Sequence, residues 1–202
     1  MRKVLSAALI ALAATIACNK LKSEERIYKV NTSSSVAEWK GSAPDHFHVG
    51  SFKIEGSLLT RSDGDIQAGT FVIPISSIDN FDLPAEVKPQ LLNHLKSADF
   101  FNIALHPNAE FRIEKVETLD GSVKGAVAGA NKLVTGNLSL VGQTHPITFP
   151  AKIAYKGDSL QVEATLKIDR TKWGMTKYSN ADSGLYIIPD ADIHVKMQAA
   201  KV

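Results

Sequence analysis

A chain of 202 residues, 44% hydrophobic and 22% charged, is enough for one sizeable domain, and its composition excludes long disorder and a nucleic-acid-binding basic block. The formal charge is +2. Two of the basic residues, Arg2 and Lys3, belong to a leader expected to be removed, which leaves 21 basic against 21 acidic side chains and excludes long-range steering towards a strongly charged partner.

The chain opens with MRKVLSAALIALAATIAC. Arg2 and Lys3 form a positive n-region, and Val4 to Ala14 is an apolar run too short to span a bilayer stably. Thr15, Ile16 and Ala17 then lead into Cys18, the only cysteine. The pattern resembles a bacterial lipoprotein signal, in which cleavage behind Ala17 leaves a lipidated Cys18 as the new N-terminus. An ordinary secretory signal or a buried helix is the plainer alternative. Two or more acyl chains anchor a protein stably, at about 0.8 kcal/mol per buried CH₂. Acylation occupies the one thiol, so no internal disulfide is expected and the core alone must hold the fold. Asn19, rather than Asp, behind the cysteine points to the outer membrane, with the domain facing the periplasm or the cell surface. The expected organisation is a signal over 1–17, a lipidated polar tether over 18–26 and one domain over 27–202.

From Ile27 onwards apolar and polar residues alternate, the mark of half-buried strands with one dry face. Short runs occur at Phe52/Ile54, Phe71/Ile73/Ile75, Phe111/Ile113 and Leu138/Leu140. Longer ones follow: Ile147, Phe149, Ala151, Ile153 and Tyr155; then Leu160, Val162, Ala164, Leu166 and Ile168; then Ile193, Val195 and Met197. Turn signals separate them at Ser62–Asp65, Leu119–Ser122, Val141–Pro146 and Tyr155–Ser159. About eight strands at this spacing predict an all-β, antiparallel sandwich or barrel. Only Leu83 to Lys96 departs from the pattern. Pro84 and Pro89 suit helix starts, and Val87, Leu91 and Leu95 form one stripe, so one short helix or two in tandem are expected. Such a helix is too short to stand alone and must pack on the strands. Phe100 and Phe101 behind it are expected to begin a strand and point to opposite faces.

Enzyme signatures are lacking: there is no G-x-S-x-G elbow, no Gly-rich phosphate loop and no H-E-x-x-H helix. His46 and His48, two apart, would share one face of a strand, but no third ligand can be named and a polar strand end is the simpler reading. His94, His106, His145 and His194 are scattered, and His106 and His145 precede prolines, as loop residues do. Asp182, Asp190 and Asp192 do not match a calcium loop. Trp39 and Trp173 either plug a barrel end or touch a ligand. No metal and no cofactor is expected.

The stretches YKVNTSSSVAEWKG, HVGSFKIEGSLL, NHLKSADFFN, HPNAEFRIEKV, LVTGNLSLVGQTHPITFPA and IDRTKWGM, read in order, together resemble the YceI-like family of polyisoprenoid-binding proteins. YKVNTSSSVAEWKG (Tyr28 to Gly41) is similar to the opening strand pair, and HVGSFKIEGSLL, with His48-Val49-Gly50, to the next strands. NHLKSADFFN resembles the helix and the segment behind it; HPNAEFRIEKV resembles a Tyr-Pro-x-x-x-Phe segment, with His106 in place of the tyrosine. LVTGNLSLVGQTHPITFPA is similar to a long hairpin, with an unusual two-proline turn at HPITFP, and IDRTKWGM to the penultimate motif. The resemblance spans nearly all of Ile27 to Val202. It implies a lipocalin-like extended antiparallel barrel around an apolar tunnel that binds isoprenoid chains, such as those of quinones or polyprenyl phosphates.

An eight-stranded barrel is wide enough for one ligand. The expected tunnel wall is Phe52, Ile54, Phe71, Ile73, Phe100, Phe101, Phe111, Ile113, Leu138, Leu140, Phe149, Val162, Leu166 and Trp173. His94 and Lys96 are expected as head-group donors at its mouth, against the plainer reading that both are solvated on the outer helix face. Ala151, Ala154 and Ala164 leave room inside. The leading function is a lipid-anchored binding protein for an isoprenoid or similar long-chain lipid. One alternative is a structural envelope lipoprotein whose barrel is packed solid. Another is an enzyme acting on a bound lipid, for which no acid–base pair is visible. The expected partners are a lipid ligand and, through the anchor, a membrane; a homodimer is left open.

Overall fold

A computed structural model describes residues 24–202. The leader, Cys18 and the tether up to Ser23 lie outside the described residues, and so does the anchoring expectation attached to them. Eleven strands follow: β1 (Glu25–Val30), β2 (Val36–Ser42), β3 (Phe47–Lys53), β4 (Glu55–Arg61), β5 (Ile66–Pro74), β6 (Asp79–Asn80), β7 (Asn108–Thr118), β8 (Lys132–Leu140), β9 (Gln143–Lys156), β10 (Ser159–Asp169) and β11 (Asp190–Lys201), with helix α1 (Lys88–Lys96) between β6 and β7.

These eleven segments make eight barrel strands. β1 and β2 both pair with β11, β1 through Tyr28 opposite Lys201 and β2 through Val36 to Lys40 opposite Lys196 to Asp192. They are one strand interrupted at Asn31–Ser35. Buried Ser35 stitches the interruption to β11, its Oγ donating to the Gln198 carbonyl at 3.2 Å and accepting from the Gln198 N–H at 3.0 Å. Their hairpin partners β3 and β4 are likewise one strand broken at Ile54, and β6 continues β5 along β3. Each long strand pairs antiparallel with its sequence neighbours, and β1 on β11 closes the ring. The result is an up-and-down all-β barrel, one of the two architectures, sandwich or barrel, that the alternation left open, with β9 and β10 parting beyond the Ala151–Ala164 pair.

Three local expectations are corrected. The segment holds one helix rather than two, Lys88–Lys96, with Pro89 in its first turn. Pro84 lies in the preceding turn and accepts from the Lys88 N–H at 3.0 Å, and Val87, expected on the packing stripe, stands exposed before the helix. Phe100 and Phe101 do not begin a strand. Their N–H groups bond back to Ser97 and Leu95, and Asn102 takes a positive φ of 47°, so the chain coils under the helix until β7 starts at Asn108. The two-proline segment is strand rather than turn: the connection is Val141–Gly142 alone, both at positive φ, and β9 begins at Gln143. Pro146 and Pro150 fit because β10 reaches β9 only from Ala151 onwards. Their missing N–H groups therefore face no partner strand.

The barrel is solid at one end and hollow at the other. In the solid half, Tyr28, Leu58 and Leu160 are almost fully buried, and Ala151 and Ala164 stand opposite one another with no exposure. Tyr155 closes that end, edge-on to Tyr28 at 5.8 Å, with its hydroxyl donating to the Gly64 carbonyl at 2.7 Å. Burial pushes its phenol up to about 12. Ala151 and Ala164 thus sit in packed core rather than beside open space, and Ala154 has the opposite parity and borders an outer-face dent with Gln161 and Glu163.

Candidate functional site

The hollow half encloses a cavity of about 310 Å³. Inward-facing positions of seven barrel strands supply its wall: Ala37 and Trp39 from β2, Phe52 from β3, Ile73 from β5, Ala109 and Phe111 from β7, Leu138 and Leu140 from β8, Ile147 and Phe149 from β9, and Leu166 and Ile168 from β10. Ile193 of β11 completes the ring. Leu91 and Leu95 of α1, with Phe100 and Phe101 behind it, form a lid. His46 and His48, at the β2–β3 hairpin, also line it, and since His46 is exposed the cavity reaches the surface there.

Two glycines keep large rings against the wall instead of across the lumen. A Cβ on Gly50 would lie 2.7 Å from the Trp39 ring and 1.9 Å from the Asp79 carbonyl. A Cβ on Gly136 would lie 2.4 Å from the Phe111 ring. Phe111 then meets Phe149 at 5.6 Å, while Phe52 meets Phe101 edge-on at 5.5 Å. Such aromatic pairs stiffen the wall beyond their area burial.

The mouth is organised by a carboxylate. Asp82 accepts from the Val49 N–H at 2.8 Å, His48 Nδ1 at 2.7 Å and the buried Asn80 amide at 2.7 Å. Burial pushes its carboxyl up, but these hydrogen bonds outweigh it and hold the group at about 2. His46 pairs with Asp45 at 2.7 Å, and the two imidazoles stand 5.5 Å apart. Each histidine is held by its own carboxylate; among the described residues no group of three or more His, Cys, Asp or Glu side chains is placed to hold a metal ion.

One polar group inside the cavity was not read from the sequence. Arg170, in a 3-10 turn that follows β10, is 7% exposed and lies on the wall. Its Nη1 donates to the Met175 carbonyl and its Nη2 to the Ile187 carbonyl at 3.0 Å. Its guanidinium lies over the Phe100 ring at 5.5 Å, and Nε has no partner. Burial lowers the pKa of the guanidinium from its ordinary value. A signal for it existed: Arg170 continues the inward parity of Leu166 and Ile168.

Of the expected wall, Phe52, Ile73, Phe100, Phe101, Phe111, Leu138, Leu140, Phe149 and Leu166 come together around the cavity, with His94 beside them. Both phenylalanines of the pair face it, because they lie in a turn. Ile54, Phe71 and Ile113 belong to the core but not to the cavity wall. Val162 lies in the solid half, two residues before Ala164. Trp173 is 2% exposed and seals the splayed β9–β10 seam: its Nε1 donates to the Leu138 carbonyl at 3.0 Å and its ring stands 5.1 Å from His145. Lys96 is off the wall, and His94 is edge-on to Phe100 at 5.2 Å with Nε2 3.2 Å from Asp99.

The sequence profile of the YceI-like domain matches residues 28–199. Among curated proteins, a UPF0312 protein of Pectobacterium carotovorum is 34% identical over 83 residues, 37% of this chain and 38% of that protein. The protein YceI of Salmonella arizonae is 38% identical over 65 residues, 32% of this chain and 29% of its own. The chain thus aligns with 29% to 38% of these relatives' length. Burkholderia cenocepacia BcnA has a similar fold, with a TM-score of 0.67 at 17% identity over 84% of this chain and 98% of that one. So has the Campylobacter jejuni YCEI protein, with a TM-score of 0.55 at 19% identity over 73% and 80%.

Proposed function

Starting from the fact that the chain belongs to the YceI-like family, we propose that it is a binding protein for an isoprenoid or similar long-chain amphiphile. The observation that carries this reading is the asymmetry of the barrel. One half is packed solid, while the other encloses a largely apolar cavity of about 310 Å³ behind a lid of two leucines and two phenylalanines. A lining of this kind rewards a hydrocarbon tail with about 2.5 kcal/mol per 100 Å² of apolar surface buried, before association costs. The mouth between the β2–β3 hairpin and α1 gives such a tail a way in. The leader and Cys18 support a lipid anchor that holds the domain at a bacterial envelope membrane, within reach of its ligand.

The test is to purify the protein from its native membrane, extract it with organic solvent and identify the extract by mass spectrometry. A long-chain lipid in near-stoichiometric yield is expected. An empty extract, together with no uptake of prenyl alcohols or quinones offered in detergent, would refute the reading.

A further inference from the structure

Resting on that amphiphile-binding reading, we infer that Arg170 is the seat of a negatively charged, oxygen-bearing head group, a phosphate or a carboxylate, on the ligand whose tail fills the cavity.

The reason is a buried charge with no ion-pair contact. Arginine is rarely this buried unless an anion accompanies it, because a desolvated cation is costly. Here, among the described residues, no carboxylate forms an ion pair with the guanidinium. Its sequence neighbour Asp169 acts on the guanidinium through space without an ion-pair contact: its Oδ1 accepts from the Thr171 N–H at 3.0 Å and the Thr171 hydroxyl at 2.6 Å. Two backbone carbonyls and the face of Phe100 hold the fork in place. They supply partial charge only.

A second observation points the same way. Among the described residues, three buried side-chain polar atoms lack a hydrogen-bond partner: Arg170 Nε, Trp39 Nε1 and Thr60 Oγ1. Thr60 belongs to β4, outside the cavity, whereas both orphan N–H donors sit on residues of one apolar cavity. Donors without acceptors in such a place are what an oxygen-rich head group requires. A neutral carbonyl could take one N–H but would leave the cation without a contacting anion; an anion does both, through charge-assisted bonds about twice as strong as neutral ones. The same cation also suits a planar, bidentate contact with phosphate or carboxylate oxygens.

The experiment compares three probes with one tail, farnesyl phosphate, farnesoic acid and farnesol, by calorimetric titration of the wild-type protein and of Arg170→Met. Wild type should prefer the anionic probes over the alcohol by about tenfold or more, the worth of a hydrogen bond to a charged group. Their relative order tells a phosphate from a carboxylate seat. Arg170→Met should bring the preference to near unity while farnesol still binds. Arg170 also ties down two loop carbonyls, so Arg170→Gln, which keeps one donor for them, is the second variant, and thermal melts report folding. A purely structural arginine would weaken all three probes together and leave the ratio unchanged. Equal binding of all three by wild type, which needs no variant, overturns the inference, as does an anion preference that survives Arg170→Met or Arg170→Gln. If wild type binds none of the three, the amphiphile reading itself fails and takes this inference with it.

Discussion

Ala164 and Leu166 lie two residues apart on one strand, with side chains on the same inward face, and should nevertheless respond oppositely to enlargement. Ala164 has no exposure and stands between Ala151 on β9 and Val195 on β11. Leu166 borders the cavity of about 310 Å³. Ala164→Leu therefore pushes three extra carbons into close-packed core, which costs about 1–3 kcal/mol. For a domain of this size that is a fall in melting temperature of roughly 2–12 °C. Leu166→Trp extends its ring into empty space and should lower the melting temperature by no more than about 2 °C, equivalent to under ~1 kcal/mol. Its effect is on uptake: the indole occupies volume the tail needs, so prenyl-probe affinity should fall about tenfold or more, since lost burial of some 60 Å² is worth about 1.5 kcal/mol. Thermal melts by circular dichroism and titration with a fluorescent prenyl probe read the two effects separately. Equal destabilisation by both substitutions would mean the hollow half is packed in solution. Undiminished binding by Leu166→Trp would remove Leu166 from the ligand's path.

Cys18→Ser should release the protein from membranes into the soluble fraction; a mutant that still sediments with them undiminished would end the anchor proposal. Gly50→Ala should destabilise by about 2 kcal/mol or more, because its Cβ would meet the Asp79 carbonyl at 1.9 Å and the Trp39 ring at 2.7 Å, and a melting temperature equal to wild type would show that the ring does not lie there. Asp82 has a folded pKa of about 2, below its ordinary 3.8, so its contribution to stability is complete above about pH 3.8 and is lost as the pH falls towards 2. With its side chain 28% exposed, that contribution is about 1 kcal/mol after screening, and Asp82→Asn should flatten the stability profile between pH 4 and 2. A profile in Asp82→Asn as steep as in wild type would assign the acid limb to other carboxylates.

The period of two along β10 and β11 is local information, since each residue's face follows from its neighbours'. It was therefore legible that Leu160, Leu166 and Ile193 turn inwards, that Lys167 and Gln161 turn out, and that Leu91 and Leu95 of the helical stripe face the barrel, although Val87 of that stripe is exposed. Alternation over about eight strands implied a sandwich or a barrel, and the β1–β11 pairing decides for the barrel. What alternation cannot carry is position along the barrel axis. Small residues suggest room, yet Ala151 and Ala164 are packed tight while bulky Phe111 and Phe149 line the cavity. The difference arises where β9 and β10 part beyond the Ala151–Ala164 pair, a matter of strand pairing between segments. The segment after α1 shows the same limit: spacing favoured a strand at Phe100, but hydrogen bonds back to Ser97 and Leu95 coil it beneath the helix and turn both rings to one cavity. Arg170 is the sharpest case. Composition assigns an arginine to solvent, and its parity alone argued otherwise. Only the tertiary structure, by bringing the Met175 and Ile187 carbonyls and the Phe100 face to the guanidinium, makes the inward position tenable, because a buried charge needs partners that no local stretch of sequence contains.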